Sequence, residues 1–178
     1  LECTTGVVNT PVWMYTESQW WVKKLPNVDY RGTFTVRAKA ICSKDDKFDE
    51  KTFEKAECKM LSNVIDKVIR NANFESTDVD ALIAGDLLNQ IISSSYAARD
   101  YKIPYIGVYS ACSTMSESMA IASMMIDAGY MEKIVCATGS HFSSAERQYR
   151  YPLELGSTRP PQAQWTVTGA GACLLSKY

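Results

Sequence analysis

With one histidine, His141, in 178 residues, the chain has no means of building a histidine-rich metal site or a local Cys-His-His arrangement. It also lacks an excess of either charge. Nineteen Lys and Arg against twenty Asp and Glu leave a net charge of -1, which removes the basic footprint of a nucleic-acid binder and the polybasic patch of a membrane-surface protein. No apolar run approaches the roughly 20 residues that span a bilayer, and no basic segment precedes an apolar one at the start, as a secretory signal would require. The chain opens on Leu1 rather than Met, which leaves room for a leading segment removed from the native start. The cysteines at 3, 42, 58, 112, 136 and 173 show none of the paired short spacings of a zinc site, so no metal centre is expected. Cys136 and Cys173 fall in strand-like runs and Cys58 in a helical one, so these read as core filler, and a reduced, intracellular setting fits. Internal repeats and low-complexity segments are absent.

What is present is ordinary globular material, 46% hydrophobic, organised around Tyr105 to Met119. That stretch reads as a buried strand, a tight turn of small residues and the opening of a long helix, with Cys112 in the turn. A thiol where a helix begins faces unpaired N–H groups and the positive end of the helix dipole, which favour thiolate. A small filler where strand and helix pack closely is the alternative. The helix is expected from Ser113 or Thr114, with Thr114 and Glu117 in the form of a capping box. Met115, Met119, Ala122 and Ile126 form its apolar face, and Gly129 is suited to its end.

Around this centre the pattern alternates strand and helix. Val7 to Tyr15 is a strand candidate interrupted by Pro11, and Thr33 to Ile41 is another. Trp20 and Trp21 read as core or subunit contact, or as an exposed binding edge. From Asp49 to Asn71, apolar residues from Phe53 to Ile69 recur at three- and four-residue steps, the signature of an amphipathic helix on a sheet. Val79 to Ala84 makes a short strand ending at Gly85, a second helix runs through Tyr96 to Ala98, Ile103 to Tyr109 forms the next strand, and Lys133 to Thr138 another. Ser143 to Pro161 is rich in turn formers, and its Arg147, Arg150 and Arg159 either clamp a carboxylate or belong to a salt-bridged loop. Gln164 to Thr168 and Ala172 to Ser176 read as a hairpin about a turn at Gly169–Gly171. This order points to a layered α/β fold. In such sheets ligands gather beyond the carboxyl ends of the strands. Asp86, Asn89 and Gln90 would lie there, although Asp86 equally suits a helix cap. Three strand ends, at Asp86, Cys112 and His141, are thus expected to converge.

Ala84-Gly-Asp-Leu-Leu-Asn-Gln90, Ala111-Cys-Ser-Thr114, Glu117-Ser118, Ala145-Glu-Arg-Gln-Tyr-Arg-Tyr-Pro152, Arg159-Pro160 and Gln164-Trp-Thr-Val-Thr-Gly-Ala-Gly171 together resemble the stage V sporulation AD family, thiolase-like proteins of endospore formers. The resemblance runs over about residues 50 to 178; residues 1–48 match poorly and read as divergent strands and loop ahead of a 49–178 unit. It implies the N-terminal half of a thiolase-like fold, a layered mixed sheet with helices on both faces. It also implies a protein that binds dipicolinic acid, a pyridine dicarboxylate, or its calcium complex, and supports its uptake into the developing spore, working at the spore inner membrane with the other stage V sporulation A membrane proteins. In thiolases and ketoacyl synthases the cysteine matching Cys112 is the acylated nucleophile, and its histidine partner comes from the C-terminal half. His141 does not match that partner. The expectation is therefore a binding protein rather than a condensing enzyme, with Cys112, Asp86, Asn89, His141 and Arg147 as ligand-binding candidates and no catalytic residue beyond a vestigial nucleophile. No cofactor is expected, and the partner is a second copy or a second half of the fold. The alternative is an acyl-transferring enzyme with Cys112 as nucleophile.

Overall fold

The computed structural model describes residues 7–8, 35–41, 46–88, 91–149 and 168–176, with side chains described for 46–88, 91–145 and 168–176. Six strands form one mixed sheet. They are β1 (Val7–Val8), β2 (Thr35–Ile41), β3 (Ala81–Asp86), β4 (Tyr105–Gly107), β5 (Lys133–Ser140) and β6 (Gly169–Ser176), in the spatial order β1-β2-β6-β5-β3-β4. β4 and β5 flank β3 in parallel, whereas β6 lies antiparallel between β5 and β2. The carboxyl ends of β3, β4 and β5 therefore share one end of the sheet.

Helix α1 (Phe53–Asn71) begins at Thr52, whose hydroxyl accepts from the N–H of Lys55, the ordinary N-cap geometry. Its buried stripe, Met60, Leu61, Val64, Ile65, Val68 and Ile69, packs on Leu82, Ala84, Val135, Ala137, Ala172 and Leu174. Ala97 and Ala98 of helix α2 (Ile92–Ala98) join the same core. On the opposite face, Ala122 and Ile126 of helix α3 (Thr114–Asp127) cover Ala81, Ile83, Ile134, Cys136, Cys173 and Leu175. Successive strand residues thus alternate between two apolar layers, which is why these strands read as continuous hydrophobic runs. The layered sheet with helices on both faces is as the sequence implies.

Several elements differ from the sequence reading. Residues 169–176 form one strand instead of the second arm of a hairpin. Gly169 and Gly171 pair with Ser140 and Thr138, and burial between β5 and β2 overrides their turn tendency. The start of the 143–161 segment is helical, as α4 (Phe142–Tyr149). β4 is a half-buried edge strand of three residues, and β5 runs on to Ser140. Gly85 continues β3 instead of ending it. A Cβ at Gly85 would stand 2.0 Å from the carbonyl oxygen of Val108 and 2.6 Å from Thr114 Cγ2, so only glycine lets the end of β3 lie against the turn that opens α3. Gly129, with φ of +77°, closes α3 as expected. Its N–H donates to Ile126 and that of Tyr130 to Met125, the paired bonds of a Schellman ending. The readings for Trp20, Trp21, Arg150, Arg159 and residues 164–167 lie outside the described residues.

Candidate functional site

The turn between β4 and α3 is built from small hydroxyl residues. Ser113 N–H and Ser113 Oγ donate to the carbonyl of Ser110 at 2.9 and 2.8 Å. Thr114 Oγ1 donates to the carbonyl of Ala111 at 2.8 Å and accepts from the N–H of Ser110 at 3.2 Å. The capping box expected of Thr114 and Glu117 does not form, because Thr114 is already the first residue of α3 and its hydroxyl is spent on the preceding turn. Within a short 3-10 turn, Ala111–Ser113, the backbone at Ala111 has φ of +47°, a left-handed conformation uncommon for alanine that stores strain. Cys112 follows directly, as an exposed free thiol at the threshold of α3.

Asp86 ends β3 and is 1% exposed. Its Oδ1 accepts from the N–H of Leu88 at 2.8 Å, and its Oδ2 accepts from both the N–H and the hydroxyl of Ser94 at 2.6 Å. The hydroxyl of Tyr105 adds a bond to Ser94 Oγ at 2.9 Å, so β4, α2 and β3 are joined through one chain of polar groups. Ser94 is the third residue of α2, and Ile91 before that helix has φ of +76°. Asp86 thus performs the capping role that Ile91 has no side chain to perform. Both carboxylate oxygens are committed inward rather than held out to a ligand.

His141 is 0% exposed. Its Nδ1 accepts from the N–H of Ser143 at 3.1 Å and its Nε2 lies 2.8 Å from the carbonyl of Asp46. These partners require the neutral tautomer with the proton on Nε2. The ring packs 4.8 Å from Phe53 and 5.0 Å from Phe142, centroid to centroid. Its polar atoms are taken up on the α1 side of the sheet, so the imidazole is not a proton acceptor for Cys112. The three strand ends do share one end of the sheet, but among Asp86, Cys112 and His141 only Cys112 is exposed. Arg147 lies in α4 with its side chain outside the described residues, and Asn89 and Gln90 are also outside them.

Glu57 escaped the sequence reading. It is 0% exposed in α1, and its Oε2 meets the hydroxyl of Ser144 at 2.7 Å while Oε1 has no hydrogen-bond partner among the described residues. Burial pushes its carboxyl up from 4.5 to about 7. The signal was available: Glu57 stands four residues after Phe53 and three before Met60, within the apolar stripe. Cys136 and Cys173 face each other across β5 and β6, and the neighbouring thiol together with burial holds Cys136 well above the usual thiol range. Among the described residues no group of three or more Cys, His, Asp or Glu is placed to hold a metal, and no helix is long and apolar enough to cross a membrane. A groove of about 760 Å³ between α1 and α2, lined by Cys58, Leu88, Ile92 and Tyr96 among others, includes none of Cys112, Asp86 or His141.

The sequence model of one protein family, stage V sporulation protein AD, matches residues 29–178. The match begins upstream of the motifs quoted above and takes in β2. The stage V sporulation protein AD of Bacillus subtilis (strain 168) is 41% identical over 129 residues, covering 72% of this chain and 38% of that protein. Among solved structures, 3-oxoacyl-[acyl-carrier-protein] synthase III from Aquifex aeolicus VF5 superposes with a TM-score of 0.54 at 17% identity, over 68% of this chain and 38% of the synthase. Xanthomonas campestris OleA, in its E117Q form, gives 0.52 at 16% identity over 68% of this chain and 41% of OleA. These two likenesses establish a thiolase-like fold, and the chain spans roughly two fifths of each relative.

Proposed function

The chain belongs to the stage V sporulation protein AD family, and on that premise we propose that it is a binding protein for dipicolinic acid or its calcium complex, supporting uptake of that ligand into the developing spore. The observation that carries the binding reading is membership of this family; a Cys112 with no base beside it in this half is equally expected of a thiolase, whose histidine comes from the C-terminal half. The thiol is exposed at the start of α3, while His141 and Asp86 are saturated by internal hydrogen bonds. Acyl transfer needs a base for the nucleophile and donors for the oxyanion. A planar dicarboxylate needs only backbone N–H groups at a helix start and a cation. Calcium bound to the ligand would offset its two negative charges. Asn89 and Arg147 complete the proposed ligand set, with Arg147 as the side chain suited to a bidentate carboxylate pair. Work at the spore inner membrane beside other stage V sporulation A proteins, and pairing with a second copy or the second half of the fold, belong to the same proposal.

Titrating the full-length protein with dipicolinate, with and without calcium, tests it. Saturable binding is expected, and no heat under either condition overturns it. The acyl-transfer alternative predicts an acyl adduct on Cys112 by mass spectrometry after exposure to an acyl-coenzyme A.

A further inference from the structure

We propose that Cys136 and Cys173 form a site of reversible oxidation, closed to a disulfide by exchange with a low-molecular-weight disulfide, which staples β5 to β6 beneath helix α3. The register of the two strands carries the argument. Cys136 lies directly opposite Cys173 in an antiparallel ladder of eight residue pairs, from Lys133 with Ser176 to Ser140 with Gly169. Opposite residues in such a ladder have Cα atoms about 4.5 to 5.5 Å apart and Cβ atoms in a similar range. A disulfide requires Cα atoms roughly 4.4 to 6.8 Å apart and Cβ atoms at about 3.5 to 4.5 Å. The backbone register meets the first condition, and a small approach at Cβ meets the second.

The surroundings single out this pair. Both side chains enter the apolar layer under α3 with Ile83, Ile134 and Leu175, whereas Val135 and Leu174 turn to the α1 side. Cys58 belongs to α1 on that other side, and Cys112 is exposed at the start of α3. Among the described cysteines, then, only Cys136 and Cys173 share a face and a register position. Their thiols are in hydrogen-bond contact. Cys136 is 0% exposed and Cys173 3%, and because attack on a disulfide requires a thiolate, burial slows the exchange without disfavouring its product. The next pair on the same face, toward the carboxyl end of β5, is Thr138 with Gly171, both half-buried. The way to Cys173 from that end therefore passes a position with no side chain.

The chemistry is two successive exchanges. Cys173, the less enclosed sulfur, attacks as thiolate one sulfur of the small disulfide; that S–S bond breaks, and one small thiol leaves with the proton that Cys173 gave up. Cys136 then attacks Cys173 Sγ in the mixed disulfide, and the second small thiol leaves with the proton of Cys136. Two protein thiols are oxidised, the small disulfide is reduced to two thiols, and an excess of small thiol reverses both steps. The new bond closes a loop over residues 137–172, which holds α4 and the bond from the N–H of Phe142 to Thr168 Oγ1. Closing a loop of this kind restricts the unfolded chain more than the folded one, in which the two strands are already paired.

The test equilibrates the reduced full chain with oxidised glutathione, in one sample as native protein and in another during refolding from urea, then alkylates in denaturant without reductant and maps the peptides by mass spectrometry. The expected product is a pair of peptides joined through Cys136 and Cys173, lighter by two hydrogens and returned to two alkylated cysteines by dithiothreitol. The oxidised chain should also unfold at a higher urea midpoint than the reduced one, and both effects should be absent in Cys173→Ala. Free thiols at Cys136 and Cys173 in both samples, a glutathione adduct that goes no further, or a link from either residue to Cys58 or Cys112 overturns the proposal. A urea midpoint no higher after oxidation overturns the stapling role, and should the variant not fold, the peptide map of the wild-type chain decides.

Discussion

Ser94 meets Asp86 twice, its backbone N–H and its hydroxyl both reaching Oδ2 at 2.6 Å. This makes Asp86 a fastening between the end of β3 and the start of α2. Replacing it with alanine leaves the N–H groups of Leu88 and Ser94 without an acceptor, and unpaired buried donors cost about 1 to 3 kcal/mol each. Asp86→Ala is therefore expected to lower unfolding free energy by roughly 2 to 4 kcal/mol, measured by urea denaturation. A variant as stable as the wild type would contradict this fastening role.

Gly85 has a separate and purely steric role. A methyl group there would press on the carbonyl oxygen of Val108 and on Thr114, and both are fixed, one in the backbone beyond β4 and the other at the start of α3. Gly85→Ala should cost about 2 kcal/mol or more and should broaden the amide signals of residues 110–114 in NMR spectra. Unshifted signals in the variant would contradict the close approach.

The described cysteines divide by exposure. Cys112 is exposed, Cys58 half-buried, and Cys136 and Cys173 buried. Brief alkylation of the native protein, followed by peptide mapping, should label Cys112 first and leave Cys136 and Cys173 unmodified until denaturant is added. Labelling of Cys136 at the rate of Cys112 would contradict the burial of that thiol against Cys173.

Stability should depend on pH through Glu57. Its folded carboxyl is raised from 4.5 to about 7, so the folded state holds the proton more tightly than the unfolded chain. The corresponding stabilisation is fully present below 4.5 and is lost as pH rises through 7. The size is roughly 3 kcal/mol. Relative to Glu57→Gln, the wild type should lose about that much between pH 4.5 and pH 8 in urea unfolding. A constant difference between the two across this range would contradict it.

Much of this architecture was legible in the sequence. The steps from Phe53 to Ile69 mark α1 because its stripe is buried against the sheet, and the start of α3 and its end at Gly129 follow from turn chemistry. The glycines of β6 misled because a central strand between two partners buries both faces, so alternation that normally marks a strand is replaced by an apolar run with Gly169 and Gly171 inside it. β4 is shorter than the apolar run from Ile103 to Tyr109 because an edge strand pairs on one side only, and its ladder to β3 ends at Gly107. The site was less legible. Spacing could bring Asp86, Cys112 and His141 to one end of the sheet, but whether each side chain faces outward depends on partners distant in sequence. Asp46 is 95 residues from His141, and no local pattern announces that contact. The positive φ at Ala111 and Ile91 likewise comes from tertiary packing, since neither residue type signals it.

The central claim is that Cys112 occupies a nucleophile's position in a site that binds. It is tested most directly by calorimetric titration of dipicolinate, with calcium present, into the full-length protein and into its Cys112→Ala variant. The account predicts saturable binding to the wild type and about ten-fold weaker binding, some 1.4 kcal/mol, to a variant with an unchanged melting temperature. Equal affinity in the two proteins, or no binding to either, would contradict it.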